Sequence, residues 1–209
     1  GLLWGGCAIS FPEDGGLSLF LIRSAFARHH RWLIYQRAEL LAHELCHAAR
    51  MPLADRIHEE WFAYRLSPSR LRRYLGNCFQ SAADALVFLV PVLLLLVAQI
   101  VQLANFIPGL PIWPFWLAAG AGPAWLLLRN HLAHRRLHRA IRALAGVGVR
   151  RPEAVLFRCS GAEIATLAGF VRRPAAVIAW LEERVAAEPR WRVIRYRFLA
   201  ALNPGPAEA

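Results

Sequence analysis

From Ala85 to Ala104 the chain runs for 20 residues without a charged side chain, and no other feature limits its possible folds so sharply. A helix of that length spans about 30 Å, the thickness of bilayer hydrocarbon. A second uncharged run, Ile112 to Leu128, follows the turn-forming segment Asn105 to Pro111. It contains Pro114, Gly120, Gly122 and Pro123, which membrane helices tolerate where neighbours satisfy the freed backbone groups. Trp113, Trp116 and Trp125 stand near its ends, as interfacial aromatics do. The two runs predict a transmembrane helical hairpin over residues 81–130. The competing arrangement, a hairpin buried in a soluble core, leaves too little polar structure to cover it.

Composition agrees. Of 209 residues 57% are hydrophobic and the mean hydropathy is +0.34, which excludes a disordered tail and argues against an ordinary soluble enzyme. The net charge of +11 comes from 25 cations, every one an arginine, against 14 acidic residues. So uniform a choice in an Ala-, Gly- and Pro-rich chain reflects codon composition, and the positions of the arginines carry more information than their number. Arg65, Arg70, Arg72 and Arg73 precede the first run, while Arg129, Arg135, Arg136, Arg139 and Arg142 follow the second. The positive-inside rule therefore predicts an integral membrane protein with both termini cytoplasmic and the turn on the other side. Cys7, Cys46, Cys78 and Cys159 are widely spaced with no C-x-x-C pair, as reduced thiols in that compartment would be. Gly1 to Trp4 is too short for a signal-peptide core, and a first residue of Gly leaves the start of the reading frame open.

Three regions follow: residues 1–80, the hairpin over 81–130, and a cytoplasmic region over 131–209. The expected fold is mainly α with a small strand component. Leu17 to Ile22 reads as a strand after the Pro12 to Gly16 turn cluster, and helices are predicted over 35–50, stopped by Pro52, and over 58–65. On a helical projection of 131–144, Leu137, Ile141 and Leu144 form one stripe and His131, His134 and His138 another, with arginines on the far flank. That pattern predicts a helix lying on anionic headgroups. Three histidines can also bind metal, but no acidic or thiol partner is near them in sequence. Ser160 and Glu163 form a capping-box pattern leading into Ile164, Leu167 and Ala168. Pro174 then opens a helix to Glu188 with Val177, Ile178, Leu181 and Val185 on its apolar side. Two short helices before the basic run Arg190 to Arg197 resemble a DNA-binding module, yet Glu182, Glu183 and Glu188 would face phosphates badly, so no nucleic-acid partner is expected.

The segment that carries chemistry is His43-Glu44-Leu45-Cys46-His47. On a helix His43 and His47 lie one turn apart on one face, so both imidazoles reach one ion, and Glu44 lies between them in angle, placed to hold a water. Cys46 falls off that face and is expected to pack as a small apolar residue. Two histidines leave a catalytic zinc one protein ligand short. Glu59 and Glu60 follow His47 by 12 and 13 residues. Five of the acidic residues fall between Glu39 and Glu60 in an otherwise basic chain, the concentration that a cation site requires.

Here the chain resembles the gluzincin zinc metallopeptidases, in which H-E-x-x-H is completed by a glutamate on a later helix, commonly in an E-x-x-A setting. Glu60-Trp61-Phe62-Ala63 matches that setting. The resemblance covers about residues 35–66 and implies a minimal zincin core in the first region. It implies Zn²⁺ held by His43, His47 and Glu60, with Glu59 the alternate, and Glu44 as the catalytic base. The metzincin pattern is excluded, because its third histidine belongs where Leu53 stands. Many gluzincins carry an Asp after the Ala that accepts a hydrogen bond from a ligating imidazole; here that position is Tyr64. Glu39 and Asp55 are the candidate substitutes, and Tyr64, Tyr35 and His58 the candidate oxyanion donors. The charged residues of the motif helix put the site outside the hydrocarbon. The expected activity is a membrane-tethered zinc metallopeptidase acting on a protein or peptide at the bilayer. The alternative is a non-catalytic membrane adaptor or regulator binding anionic lipid or a protein partner.

Overall fold

A computed structural model describes residues 6–11, 17–33 and 35–199, and the chain is mainly α with a small strand component. Strands β1 (Gly6–Phe11) and β2 (Leu17–Ile22) pair antiparallel, with Gly6 opposite Ile22 and Phe11 opposite Leu17. The turn cluster Pro12 to Gly16, the segment Gly1 to Trp4 and the Cys7 side chain lie outside the described residues. After α1 (Ala25–Arg28), the short antiparallel pair β3 (Arg31–Trp32) and β4 (Tyr35–Gln36) leads into α2 (Arg37–Arg50). The motif helix thus starts two residues later than expected. Tyr35 and Gln36 stay extended because they pair with Trp32 and Arg31, and the Trp32 and Tyr35 rings stack with centroids 6.4 Å apart.

Pro52 ends α2 as expected, inside a 3-10 turn over Met51–Leu53. Next come α3 (Glu59–Tyr64) and α4 (Arg70–Leu75), then the long helices α5 (Ala82–Leu103) and α6 (Trp113–Gly146). These two pack against each other as an antiparallel hairpin. Its close approach depends on Gly122, where a Cβ would sit 2.6 Å from the carbonyl oxygen of Val87. Its base is fixed by Asp84, which closes the N-terminal cap of α5 by accepting from the Ser81 and Gln80 amides and takes two hydrogen bonds from Arg129, at 2.8 and 2.6 Å. Among the described residues α5 is the one helix long and apolar enough to cross a membrane.

The second half of the hairpin departs from expectation. The helix does not end with its apolar run at Leu128 but continues without a break through the arginine- and histidine-bearing segment, so α6 has 34 residues. Nor does the stripe over 131–144 face headgroups. Leu137 and Leu144 are fully buried, and Ile141 packs beside them, in a core shared with Ile164 and Leu167. A second protein surface of matching apolar character, on α8 (Gly161–Gly169), covers the stripe in place of lipid.

Between them, α7 (Pro152–Leu156) turns the chain, and α9 (Pro174–Ala187), α10 (Pro189–Ile194) and a π turn over Arg195–Leu199 complete the C-terminal region. The expected capping box forms: Glu163 accepts from the Ser160 amide at 2.7 Å, and Ser160 Oγ accepts from the Glu163 amide. On α9, Val177 and Leu181 are buried, but Ile178 is exposed, at the edge of the apolar stripe rather than within it. The basic run after Pro189 is largely engaged with the protein itself. Arg190 pairs with Glu163 and Glu188, and Arg192 donates to the carbonyls of Val185 and Ala186 at the end of α9. One core joins the motif-bearing helices to this region, since Cys46, Trp61, Phe62 and Ala63 pack in the same cluster as Leu137, Leu156, Ile164 and Trp191.

Candidate metal centre

The turn between α2 and α3 determines where the two glutamates arrive. Asp55, almost wholly buried, accepts from the amides of Ile57 and His58 at 3.2 Å each and from the Arg50 guanidinium at 2.6 Å. Its Oδ1 also lies 3.3 Å from His58 Nδ1. Ala54 takes the left-handed conformation (φ 48°) that reverses the chain just before it. Arg50, the last residue of α2, completes the brace by donating to the carbonyls of Leu156, Phe157 and Cys159 and lying 4.2 Å over the Phe62 ring. These are carbonyls at the end of α7, where a cation is favoured. The C-terminal region thereby helps to hold α3 against α2.

With α3 so placed, three donors converge. His43 Nε2 lies 3.1 Å from His47 Nε2 and 3.6 Å from Glu60 Oε2, and His47 Nε2 lies 3.5 Å from Glu60 Oε1. A tetrahedral ion bound at about 2.0 to 2.2 Å separates neighbouring donors by about 3.3 Å, and these spacings, which reach one oxygen of Glu60 from His43 and the other from His47, are of that size. His43, His47 and Glu60 form a group that can hold a metal ion. All three are partly buried, and Glu44 beside them is buried.

Each imidazole also has a further partner. Glu59 Oε1 lies 2.9 Å from His47 Nδ1, so Glu59 holds the back of a ligand instead of facing the ion. The Ala63 backbone carbonyl, in the last turn of α3, lies near His43 and favours its protonated form, and the His43 and Tyr64 rings meet edge to face with centroids 4.6 Å apart. The two carboxylates expected to serve these imidazoles do other work. Glu39 pairs with Arg72 at 3.3 Å, and Asp55 braces the turn. His58 is also misplaced by the sequence reading: it is 1% exposed and turned onto Asp55, too deep to donate to a substrate. The role of Glu59 had a signal in the sequence. Adjacent residues on a helix point about 100° apart, so when one member of a Glu-Glu pair faces the ion the other reaches the rim of the same ring.

Burial and its positive neighbour His47 push His43 down to about 4, so its imidazole is neutral and able to ligate. His47 is raised above the usual histidine range: burial alone would lower it, but the hydrogen bond to Glu59 and the charges of Glu60, Glu59 and Glu44 prevail. Burial, helped by Glu59 and Glu44, pushes Glu60 up despite His47. A cluster of carboxylates that raise one another's proton affinity is relieved by a divalent cation.

An open cleft of about 480 Å³ leads from Glu60, lined by Tyr35, Tyr64, Leu71, Leu75 and Phe79, with Arg72 at its side. Its far wall is α4, whose part in the site had only the Leu71 and Leu75 spacing as a sequence signal. The histidines of α6 do not make a second centre. His134 Nδ1 accepts from Trp61 Nε1 at 3.2 Å and His131 Nδ1 lies 3.3 Å from the Tyr74 hydroxyl. Cys46 is buried in the core, where desolvation pushes its thiol up to about 11, and Cys46, Cys78 and Cys159 are free thiols. Comparison with protein-family models, curated proteins and solved structures finds no match to this chain.

Proposed function

We propose that the chain is a membrane-tethered, zinc-dependent metallopeptidase. The observation that carries this reading is the convergence of His43, His47 and Glu60 on one ion-sized triangle beside the buried carboxylate of Glu44, at the mouth of a cleft. Zinc suits two imidazoles and a carboxylate, and three protein ligands leave the open position that distinguishes a catalytic from a structural site. When bound, it supplies a Lewis acid and lowers the pKa of water toward 7. Glu44 accepts the proton from the attacking water and returns it to the leaving amine. Glu59 fixes the tautomer and orientation of His47, and the Ala63 carbonyl does so for His43. The phenols of Tyr35 and Tyr64, both on the cleft, are the groups available to donate to the substrate carbonyl.

Tethering is supported by α5, whose Leu86, Leu89, Leu93, Leu96, Val97 and Ile100 are exposed in the isolated chain. An outward surface so apolar is stable in lipid and not in water. The first half of α6, with Trp113, Trp116 and Trp125 exposed, completes a spanning hairpin. The arginines flanking its ends support, by the positive-inside rule, a cytoplasmic side for the metal centre and both termini.

The test is Glu44→Gln in the full chain, assayed on unstructured protein substrates beside a metal count. The variant retains about one zinc per chain and loses proteolysis, whereas His43→Ala loses the zinc. A variant that cleaves as well as the parent overturns the mechanism, and folded parent protein that takes up no zinc overturns the site.

A further inference from the structure

Beyond the hairpin, a second site of different chemistry is built from arginines. Arg135, Arg139 and Arg142 recur at i, i+4 and i+7 along one face of α6, with Arg136 beside them. Two adjoining cavities open along this face: one of about 440 Å³ between Arg135, Arg136 and Arg139 and the α8 residues Ala165 and Ala168, and one of about 640 Å³ across which Arg172 and Arg173, from the turn between α8 and α9, face Arg135, Arg139 and Arg142. Arg135, Arg139 and Gly169 line both cavities, and no acidic residue lines either. All six arginines are exposed, and none pairs with a carboxylate among the described residues. Arg184 and Arg190, by contrast, are matched to Glu188 and Glu163. Six uncompensated guanidinium groups around one concavity repel one another, and α9 begins at the same place, adding the positive end of its dipole. Such an arrangement is relieved by an anion that accepts several N–H groups at once, as phosphate does.

The position of the concavity says which phosphate. It lies on the helix that carries the apolar run, and its wall nearest that run is Leu132, an exposed apolar side chain one turn before Arg135 and Arg136. Along α6 the first arginines follow Leu132 by about 5 Å and Arg142 by about 15 Å. A lipid whose chains lie against the hairpin therefore presents its phosphates directly to the arginines. We propose that this concavity binds the headgroup of an anionic lipid bearing two phosphates, one in each cavity, docking the C-terminal region on the bilayer. The site rests on the membrane hairpin proposed above but not on the metal centre, and stands whether or not the chain is a peptidase.

The experiment uses the full chain in neutral detergent and reads its unfolding temperature during titration with cardiolipin, phosphatidylglycerol, phosphatidylcholine or pyrophosphate. Cardiolipin raises the temperature saturably, phosphatidylcholine does not, and phosphatidylglycerol at matched phosphate acts at higher concentration. The double variant R139Q/R173Q, altered only at exposed positions, unfolds like the parent without lipid and needs about thirtyfold more cardiolipin for half the effect. R150Q/R151Q removes two arginines that line neither cavity and responds like the parent. The proposal is overturned by any of four results: an equal response to phosphatidylcholine, an equal response to phosphatidylglycerol, an equal shift with pyrophosphate, which would assign the site to a soluble anion, or an equal loss in R150Q/R151Q. A saturable response to a short oligonucleotide with none to cardiolipin overturns it as well.

Discussion

Oε1 of Glu59 lies 2.9 Å from Nδ1 of His47, on the side of the ring away from the Nε2 that meets His43 and Glu60. Two consecutive glutamates on a six-residue helix thus take different parts, one facing the ion position and one the back of a ligand. The difference is measurable. Glu60→Ala removes a ligand and abolishes stoichiometric zinc binding. Glu59→Ala leaves three ligands and weakens zinc by about 10- to 100-fold, as loss of a carboxylate behind an imidazole does. Competition with a chromophoric chelator ranks the two, and a Glu59 variant that loses zinc as completely as the Glu60 variant would reverse the assignment.

Arg50 and Asp55, both essentially inaccessible and 2.6 Å apart, tie the metal helices to the C-terminal region. In Arg50→Met, Asp55 keeps only His58 and the two amides, and the carbonyls of Leu156, Phe157 and Cys159 lose their donor. Breaking a buried pair on one side costs about 3–5 kcal/mol, which chemical denaturation detects directly. R50M/D55N loses less than the sum of the single losses, because the second change no longer strands a charge. Strict additivity would mean that the pair is not coupled.

The helices and the grouping of His43 with His47 were legible in the sequence because each rests on local spacing: an i, i+4 pair, a capping box at Ser160, prolines that open or stop helices. What the residues do across elements was less legible. The stripe of Leu137 and Leu144 has the same period whether it meets lipid or α8, and only the packed partner distinguishes them. Glu59 was expected as the alternate ligand and Glu39 or Asp55 as the acceptor behind an imidazole, yet it is Glu59 that lies against His47 Nδ1, while Glu39 pairs with Arg72 and Asp55 with Arg50. The arginine concavity draws residues from two elements some 30 positions apart, beyond any sequence window.

The hairpin approach at Gly122 is a steric prediction. A side chain there meets the Val87 carbonyl at 2.6 Å, and backbone on a neighbouring helix cannot swing aside as a side chain can. Gly122→Leu therefore separates α5 from α6 and destabilises the protein by about 1–3 kcal/mol. Gly120→Leu, two residues earlier on the same helix, has nothing within 4 Å of its Cβ and leaves stability unchanged. Unfolding temperatures of both variants in one detergent make the comparison, and equal losses would show that the contact with Val87 is not responsible, since exchanging Gly for Leu does not lower helix propensity.

Glu163 gives the chain a pH-dependent component of stability. Burial would raise its carboxyl, but the hydrogen bonds from Arg190, the Ser160 amide and Trp191 Nε1 outweigh burial and hold it below the usual glutamate range. A folded-state value below the unfolded one means that the stabilisation is complete above the unfolded value and disappears as the pH falls through the folded value. Glu163→Gln keeps the shape and loses the charge, so at neutral pH it unfolds more easily than the parent by about 2 kcal/mol. As the pH drops below the ordinary glutamate value the parent's own carboxylate is protonated and the two stability curves converge. Denaturation of both proteins between neutral and strongly acidic pH tests this, and a constant gap across that window would show that Glu163 stabilises by shape and neutral hydrogen bonding alone.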